Sequence, residues 1–339
     1  MPRGVAGPVV PVTARPPRSA HGRAGESYRR AEPQLTKGGV HSMGGVAHMH
    51  PDEVVVDDAI VRTLLEDQFP DWANASLRRV EDSGTDNAIY RLGETMAIRL
   101  PRIHWAEAQI DKESRWLSSL AGGLPVAVPV PIATGRPGHG YPFPWLVYPW
   151  LDGISLDRVI PDTWDDLARD VAEFVLALER LPTAGGPTPR RRGTAMAQYD
   201  SAVQWGLGEV HGLVDVDRAQ NVWRSALRAG DWPGEPVWVH GDLLPGNLLV
   251  REGRLCGVID WSGAGVGDPA CDAMVAWSLP PGARRIFRQR VGFDDATWAR
   301  ARGWVVEQTI LYILYYARTL PVADQQAKAR LQAALDDEG

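Results

Sequence analysis

The stretch VHGDLLPGNLLV (residues 239–250), followed four residues later by LCGVIDW (255–261), decides how this chain is read. Apolar residues flank a tight polar cluster of His240, Gly241, Asp242, Pro245, Gly246 and Asn247, and a second apolar run ends at Asp260. Apolar runs this short, bounded by Gly and Pro, read as strands with polar loops at their ends. A carboxylate, a carboxamide and a second carboxylate on such loops suit one task. Asp242 can accept a proton from an attacking hydroxyl, while Asn247 and Asp260 offer hard oxygens to Mg²⁺. Magnesium would then bridge nucleotide phosphates and neutralise the charge that develops in transfer. The plain alternative is a polar hairpin with a capped turn.

Working towards the N-terminus, DDAIVRTLLEDQF (57–69) has apolar residues at helical spacing and stops at Pro70. Strand-like pieces follow at 77–82, 87–93 and 95–102, then a helix at 105–120, then strand-like blocks at 127–135 and 143–153. This is a mainly antiparallel sheet with one inserted helix, without alternating βαβ units. Beyond Gly153 the character changes to helices at 163–181, 195–211, 215–229 and through most of 268–338, with a Pro/Gly/Arg loop at 182–193. The expected fold class is α+β in two lobes: a small antiparallel-sheet N-lobe (54–147), a hinge (148–153) and a larger, mainly helical C-lobe (154–338).

Of 339 residues, 44% are hydrophobic and 23% charged, ordinary usage for a globular protein. Two cysteines, Cys256 and Cys271, are too few for a disulfide framework or a zinc site of their own and fit a reducing cytoplasm. The apolar run at 305–316 is short and contains Glu307 and Gln308, so a buried helix is expected there and no membrane partner. Residues 1–50 hold seven Lys/Arg against two acids, with six prolines, eight glycines and one aromatic residue. They read as a disordered extension, or as a start placed too early with Met43 or Met49 as the true first residue. The remaining 289 residues carry 29 basic and 40 acidic side chains. That acidic body argues against a nucleic-acid polymer as partner and would suit a cationic small molecule.

Asp242 and Asn247 have the D-x-x-x-x-N spacing of the protein-kinase catalytic loop, with His240 in the place of its leading His. The Arg of that loop is Gly241 here, and the Phe-Gly after the metal-binding Asp is Trp261-Ser262. This HGDLxPGN…IDW form resembles the aminoglycoside and macrolide phosphotransferase family over roughly residues 55–335. The resemblance implies a protein-kinase-like fold, ATP or GTP as co-substrate, Mg²⁺ held by Asn247 and Asp260, and transfer of the γ-phosphoryl group to a small-molecule hydroxyl oriented by Asp242.

It also implies roles for further residues. Ser83, Gly84 and Thr85 stand where a nucleotide-covering loop belongs, though S-G-T-D is also an ordinary turn. Arg99 in MAIRL occupies the place of the kinase lysine that holds the α- and β-phosphates, with Glu113 as the orienting acid and Glu107 second. A guanidinium is a broader fork than an ammonium, so phosphate geometry is expected to differ. Tyr148 and Trp150 fall in the hinge, where main-chain groups meet the purine and the side chains pack. Asp268 is expected to brace the catalytic loop or to cap a helix beginning at Pro269, and Asp272 to compensate that helix's dipole. Asp165, Asp166, Asp215, Asp217 and Glu307 are candidate contacts for a cationic acceptor, and Trp205, Trp223 and Trp232 for an apolar one. Two other readings of the chain are a nucleotide-binding scaffold without catalysis and a metabolite kinase of the choline, homoserine or sugar type.

Overall fold

The computed structural model of this chain describes residues 53–80, 86–316 and 321–337, and the statements below concern these. The expectations for residues 1–50 and for Ser83, Gly84 and Thr85 lie outside the described residues.

Helix α1 (Asp58–Gln68) starts at Asp57, whose carboxylate accepts the Ile60 N–H at 2.8 Å, and buries Val61, Leu64 and Leu65 as a stripe at helical spacing. That stripe packs in one core with Tyr90, Leu92, Ile98, Leu100, Trp145 and Val147. These come from β2 (Asn87–Leu92), β3 (Met96–Pro101) and β5 (Trp145–Pro149). With β1 (Leu77–Arg79) and β4 (Ala133–Gly135) they form an antiparallel sheet in the order β1-β2-β3-β5-β4. Strand β4 is shorter than the sequence suggests. Pro129 and Pro131 remove ladder donors from the 127–135 block, and Ala127 instead bridges to Gly257.

Helix α2 (His104–Ala121) is inserted between β3 and β4. Its inner face carries Gln109 and Glu113 back towards β3, while Leu117 and Leu120 join the core of the helical part. The chain then passes through β6 (Ile154–Ser155) into α3 (Trp164–Glu179), α4 (Asp200–Glu209) and α5 (Val216–Arg228). The central β segment becomes strands of two small sheets. β7 (Val237–Val239) pairs with β10 (Gly265–Gly267), and β8 (Leu248–Arg251) lies between β6 and β9 (Arg254–Val258).

A 3₁₀ segment, Pro269–Ser278, leads into α6 (Pro281–Val291), α7 (Asp295–Tyr316) and α8 (Pro321–Leu335). In α7, Val305, Val306, Ile310 and Ile313 are buried, as expected for that run. Among the described residues, no helix is long and apolar enough to cross a membrane.

Candidate active site

Two loops meet beneath the sheet: residues 240–247, between β7 and β8, and residues 259–264, between β9 and β10. The main chain stitches them together, with Ile259 N–H donating to the Asn247 carbonyl at 2.9 Å. Gly241 has φ +76°, and a Cβ there would stand 2.7 Å from the Gly263 carbonyl oxygen. An arginine at 241, as in the kinase loop, would require both a left-handed backbone and space that the second loop fills.

Within this crossing, Asn247 Nδ2 donates to the Asp242 carbonyl at 2.9 Å and reaches Asp242 Oδ2 at 3.5 Å. The amide nitrogen is thereby engaged, which leaves the side-chain oxygen as the donor atom turned away from Asp242. Asp260 is exposed and has a left-handed backbone, φ 58° and ψ 71°, with its carboxylate taking the Ser262 N–H. Asp tolerates this region better than most residues, and the cost of about 1 kcal/mol or more is a mark of functional sites. Carboxamide and carboxylate oxygens on adjoining loops are a donor set suited to Mg²⁺.

His240 is fully buried against Trp261, ring centroids 5.0 Å apart. Its Nδ1 lies 3.3 Å from the Asp242 N–H and its Nε2 3.1 Å from the Ile259 carbonyl. Those partners select the tautomer with the proton on Nε2. His240 therefore ties the Asp242 backbone to the strand that ends in Asp260.

The acid that braces this loop is Asp272. Its two carboxylate oxygens accept the N–H groups of His240 (2.7 Å) and Gly241 (2.8 Å). Burial raises the Asp272 pKa, against the pull of His240 and the two amide bonds. Asp268 has the other expected role. It caps the 3₁₀ segment through Ala270 N–H and pairs with buried Arg300 at 2.7 Å. The two acids sit at opposite ends of one tight turn, so only the inner one reaches the loop. The bracing contact expected of Asp268 therefore falls to Asp272, which also stands in the first turn of the segment.

On the sheet side, Arg99 is paired with Glu113 at 2.5 Å and donates from Nη2 to Gln109 Oε1 at 3.0 Å. Burial works against the guanidinium charge, but Glu113, Tyr148 and Asp260 outweigh it and hold the pKa above the ordinary arginine range. Glu107 is exposed and plays no part in the pair. The Tyr148 side chain interacts with Arg99, and burial pushes its phenol well up. Packing is thus not its only role. Trp150 donates its N–H to the Thr95 carbonyl at 2.7 Å, so that amide is not free for a purine, and its ring lies under Arg91 at 4.7 Å.

Three further side chains belong to the site and were not signalled by any spacing in the sequence. Lys112, one residue before Glu113, donates to the carbonyls of Ser262 (2.5 Å) and Ala264 (3.0 Å), tying α2 to the loop after Asp260. Burial pushes its pKa down to about 8. Arg192, in the 182–193 loop, donates to Asp242 Oδ1 and to the Gly241 carbonyl at 2.9 Å, and faces Glu307 at 3.7 Å. Its charge is opposed by burial and more than restored by Asp242 and Glu307. Arg330, from α8, lies near enough to Asp242 for their charges to attract.

The acceptor contacts expected from sequence fare differently. Glu307 is fully buried and bound to Arg191 and Arg192, which removes it from the surface acids. Asp215 caps α5, and Asp166 pairs with Arg169 on the surface. Trp223 is core, with its indole N–H on Asp200, whereas Trp205 is exposed.

Curated relatives and solved structures agree with this architecture. An aminoglycoside 3'-phosphotransferase of Escherichia coli is 26% identical over 162 residues, covering 44% of this chain and 59% of that protein. An aminoglycoside 3'-phosphotransferase of Streptomyces fradiae is 31% identical over 167 residues, 44% of this chain and 58% of that one. The chain thus spans less than two thirds of the length of either relative. The GDP and kanamycin complex of APH(2")-IIia superposes with a TM-score of 0.65 at 21% identity, covering 81% of this chain and 98% of the other. Macrolide 2'-phosphotransferase MphH from Brachybacterium faecium gives 0.53 at 24% identity, with 80% and 97% covered. At these identities the likeness is one of fold, the protein-kinase-like fold that the two loops and the sheet had suggested. Residues 76–304, more than half of the chain, match the phosphotransferase enzyme family, and the chain belongs to it.

Proposed function

We propose that this chain transfers the γ-phosphoryl group of ATP or GTP to a hydroxyl of a small molecule. The observation that supports it most is the crossing of the two loops, in which the Ile259 N–H bond to the Asn247 carbonyl brings the chain leading into Asp260 beside the loop of Asp242 and Asn247, while Arg192 holds the Asp242 carboxylate. In this reading Asp242 takes the proton of the acceptor hydroxyl as its oxygen attacks the γ-phosphorus. The bond from that phosphorus to the β,γ-bridging oxygen breaks, and the nucleoside diphosphate leaves. Asn247 and Asp260 would hold Mg²⁺, which when bound neutralises phosphate charge. Arg99, steadied by Glu113, would orient the α- and β-phosphates, and Ser83, Gly84 and Thr85 would cover them. The main chain around Tyr148 and Trp150 would meet the purine, less the Trp150 N–H. His240 and Asp272 act through the loop backbone, and Asp268 through the segment that carries Asp272. The two free thiols fit a cytoplasmic setting.

The names of the relatives put aminoglycosides and macrolides among the acceptors to be tried, and the arginines around Asp242 add hydroxy acids and sugar phosphates. Mass spectrometry of such a panel, incubated with protein, Mg²⁺ and ATP or GTP, tests the reading. A phosphate-sized mass gain should appear on at least one compound and fall by about a thousandfold or more in Asp242→Asn, the scale of general-base loss. Turnover by that variant at the normal rate, or failure of the protein to bind either nucleotide, would end the proposal.

A further inference from the structure

Beside the catalytic loop lies a groove of about 470 Å³, walled by Pro245, Asp157, Arg158, Trp164, Trp277 and Arg330. It adjoins the chemistry directly. Pro245 opens the turn that ends in Asn247, and Asp157 Oδ2 stands 3.7 Å from where a Cβ on Gly246 would lie. The charged side chains of its wall are Arg158, Arg330 and Asp157, so the wall carries one positive charge in surplus.

Arg330 is the unusual member. It is only 6% exposed, and its Nη2 donates to Gln308 Oε1 at 2.5 Å. Its Nε has no hydrogen-bond partner among the described residues. An unsatisfied donor on a buried guanidinium is costly, and a charge-assisted bond to a ligand oxygen would offset that cost. The charges of the wall favour an anionic ligand over a cationic one. The buried acid Glu307 is already held by Arg191 and Arg192. A polycation in the groove would meet Arg330 and Arg158 with only Asp157 to receive it.

We infer that this groove binds the acceptor, and that the acceptor carries an anionic group, a carboxylate or a phosphate, held by Arg330 together with Arg158. The inference rests on the phosphotransfer reading for the word acceptor, while the anion site stands on the groove itself. The faces of Trp164 and Trp277 would cover the less polar part of the same molecule, with its hydroxyl directed past Pro245 to Asp242. This reverses the cationic preference suggested by the acidic composition of the chain, because the net charge of a body says little about one cleft.

Calorimetric titration of the full chain with four hexose probes of similar size tests it: glucose, glucosamine, gluconate and glucose 6-phosphate. At least one of the two anions should bind about tenfold or more tightly than glucose, with glucosamine weakest, the scale of one charge-assisted pair. Gluconate ahead would identify a carboxylate site, and glucose 6-phosphate ahead a phosphate site. The preference should collapse in Arg330→Gln and weaken in Arg158→Gln. Arg158 is exposed, so its variant keeps the test alive if the Arg330 variant does not fold. Equal binding of all four probes, tightest binding of glucosamine, no binding of either anion, or an anion preference untouched by both variants would overturn the inference. ATP affinity measured on the same samples separates the two proposals. Intact nucleotide binding without anion preference removes this one alone, whereas anion preference without nucleotide binding removes the phosphotransfer reading and leaves the anion site.

Discussion

Each side of the cleft is built around an arginine and a carboxylate, and the two pairs differ in how much water they see. Arg99 and Glu113, between β3 and α2, are 4% and 2% exposed, whereas Arg192 and Asp242, beneath the second loop crossing, are 16% and 26% exposed. The first pair has Gln109, Tyr148 and Asp260 around it and sees little water. The second leaves the carboxylate half-buried and open to water. A buried pair cannot lose one partner without stranding the other, but a half-buried carboxylate can exchange an arginine for a substrate. The same two residue types therefore serve one region as a fixed strut and the other as a working contact.

The sharpest way to break this contrast is to remove the acid of the buried pair. Glu113→Ala should destabilise the protein by about 3 kcal/mol, because Arg99 would keep its charge in a site with little water to solvate it. Chemical denaturation at neutral pH gives the number. A loss below about 1 kcal/mol, the range of exposed ion pairs, would mean that water already reaches Arg99 and that the strut is no more than a surface contact.

Lys112 extends the comparison, since it belongs to the sheet side but grips the metal-side loop. Its pKa lies near 8, below the ordinary lysine value of 10.5, because burial penalises the ammonium. A lysine depressed in this way binds fewer protons folded than unfolded between those two values, so its contribution to stability rises with pH across that window. From pH 7 to pH 9.5 the wild type should gain about 2 kcal/mol relative to Lys112→Gln, as the folded amine discharges before the unfolded one. Denaturation of both proteins at the two pH values measures it. A constant difference would show that the ammonium is solvated and that the tie to Ser262 and Ala264 is loose.

What could be read from the sequence follows the same division. Arg99 and Glu113 were named from the resemblance, and the strand and the helix that carry them bring the two side chains together. Asp242, Asn247 and Asp260 were legible because short apolar strands carry them to loop tips. Asp268 and Asp272 were exchanged because both precede or open the same segment, and only the turn's geometry shows which carboxylate points at His240 and Gly241. Arg192 sits in a Pro/Gly/Arg loop with no period, beside Arg190 and Arg191, and nothing local marks one of three arginines as the partner of Asp242. Arg330 is 88 positions beyond Asp242, so its nearness is a matter of how α8 packs. The hydrogen bond of Trp150 to Thr95 depends on the register of β3 against β5, which the sequence does not show.

The smallest predicted effect is also the one that bears most directly on the contrast. Asp242→Ala removes the carboxylate of the working pair, yet Arg192 keeps the Gly241 carbonyl and faces Glu307. Asn247 likewise keeps the Asp242 main-chain carbonyl, which the substitution does not touch. With each partner still satisfied and the site open to solvent, the cost to stability should be about 1 kcal/mol or less. Turnover should be lost at the same time. Thermal unfolding of Asp242→Ala beside Glu113→Ala compares the two directly. If Asp242→Ala proves as destabilising as Glu113→Ala, the Arg192–Asp242 pair is a strut like the other, and Asp242 is held too firmly to exchange its arginine for an acceptor hydroxyl.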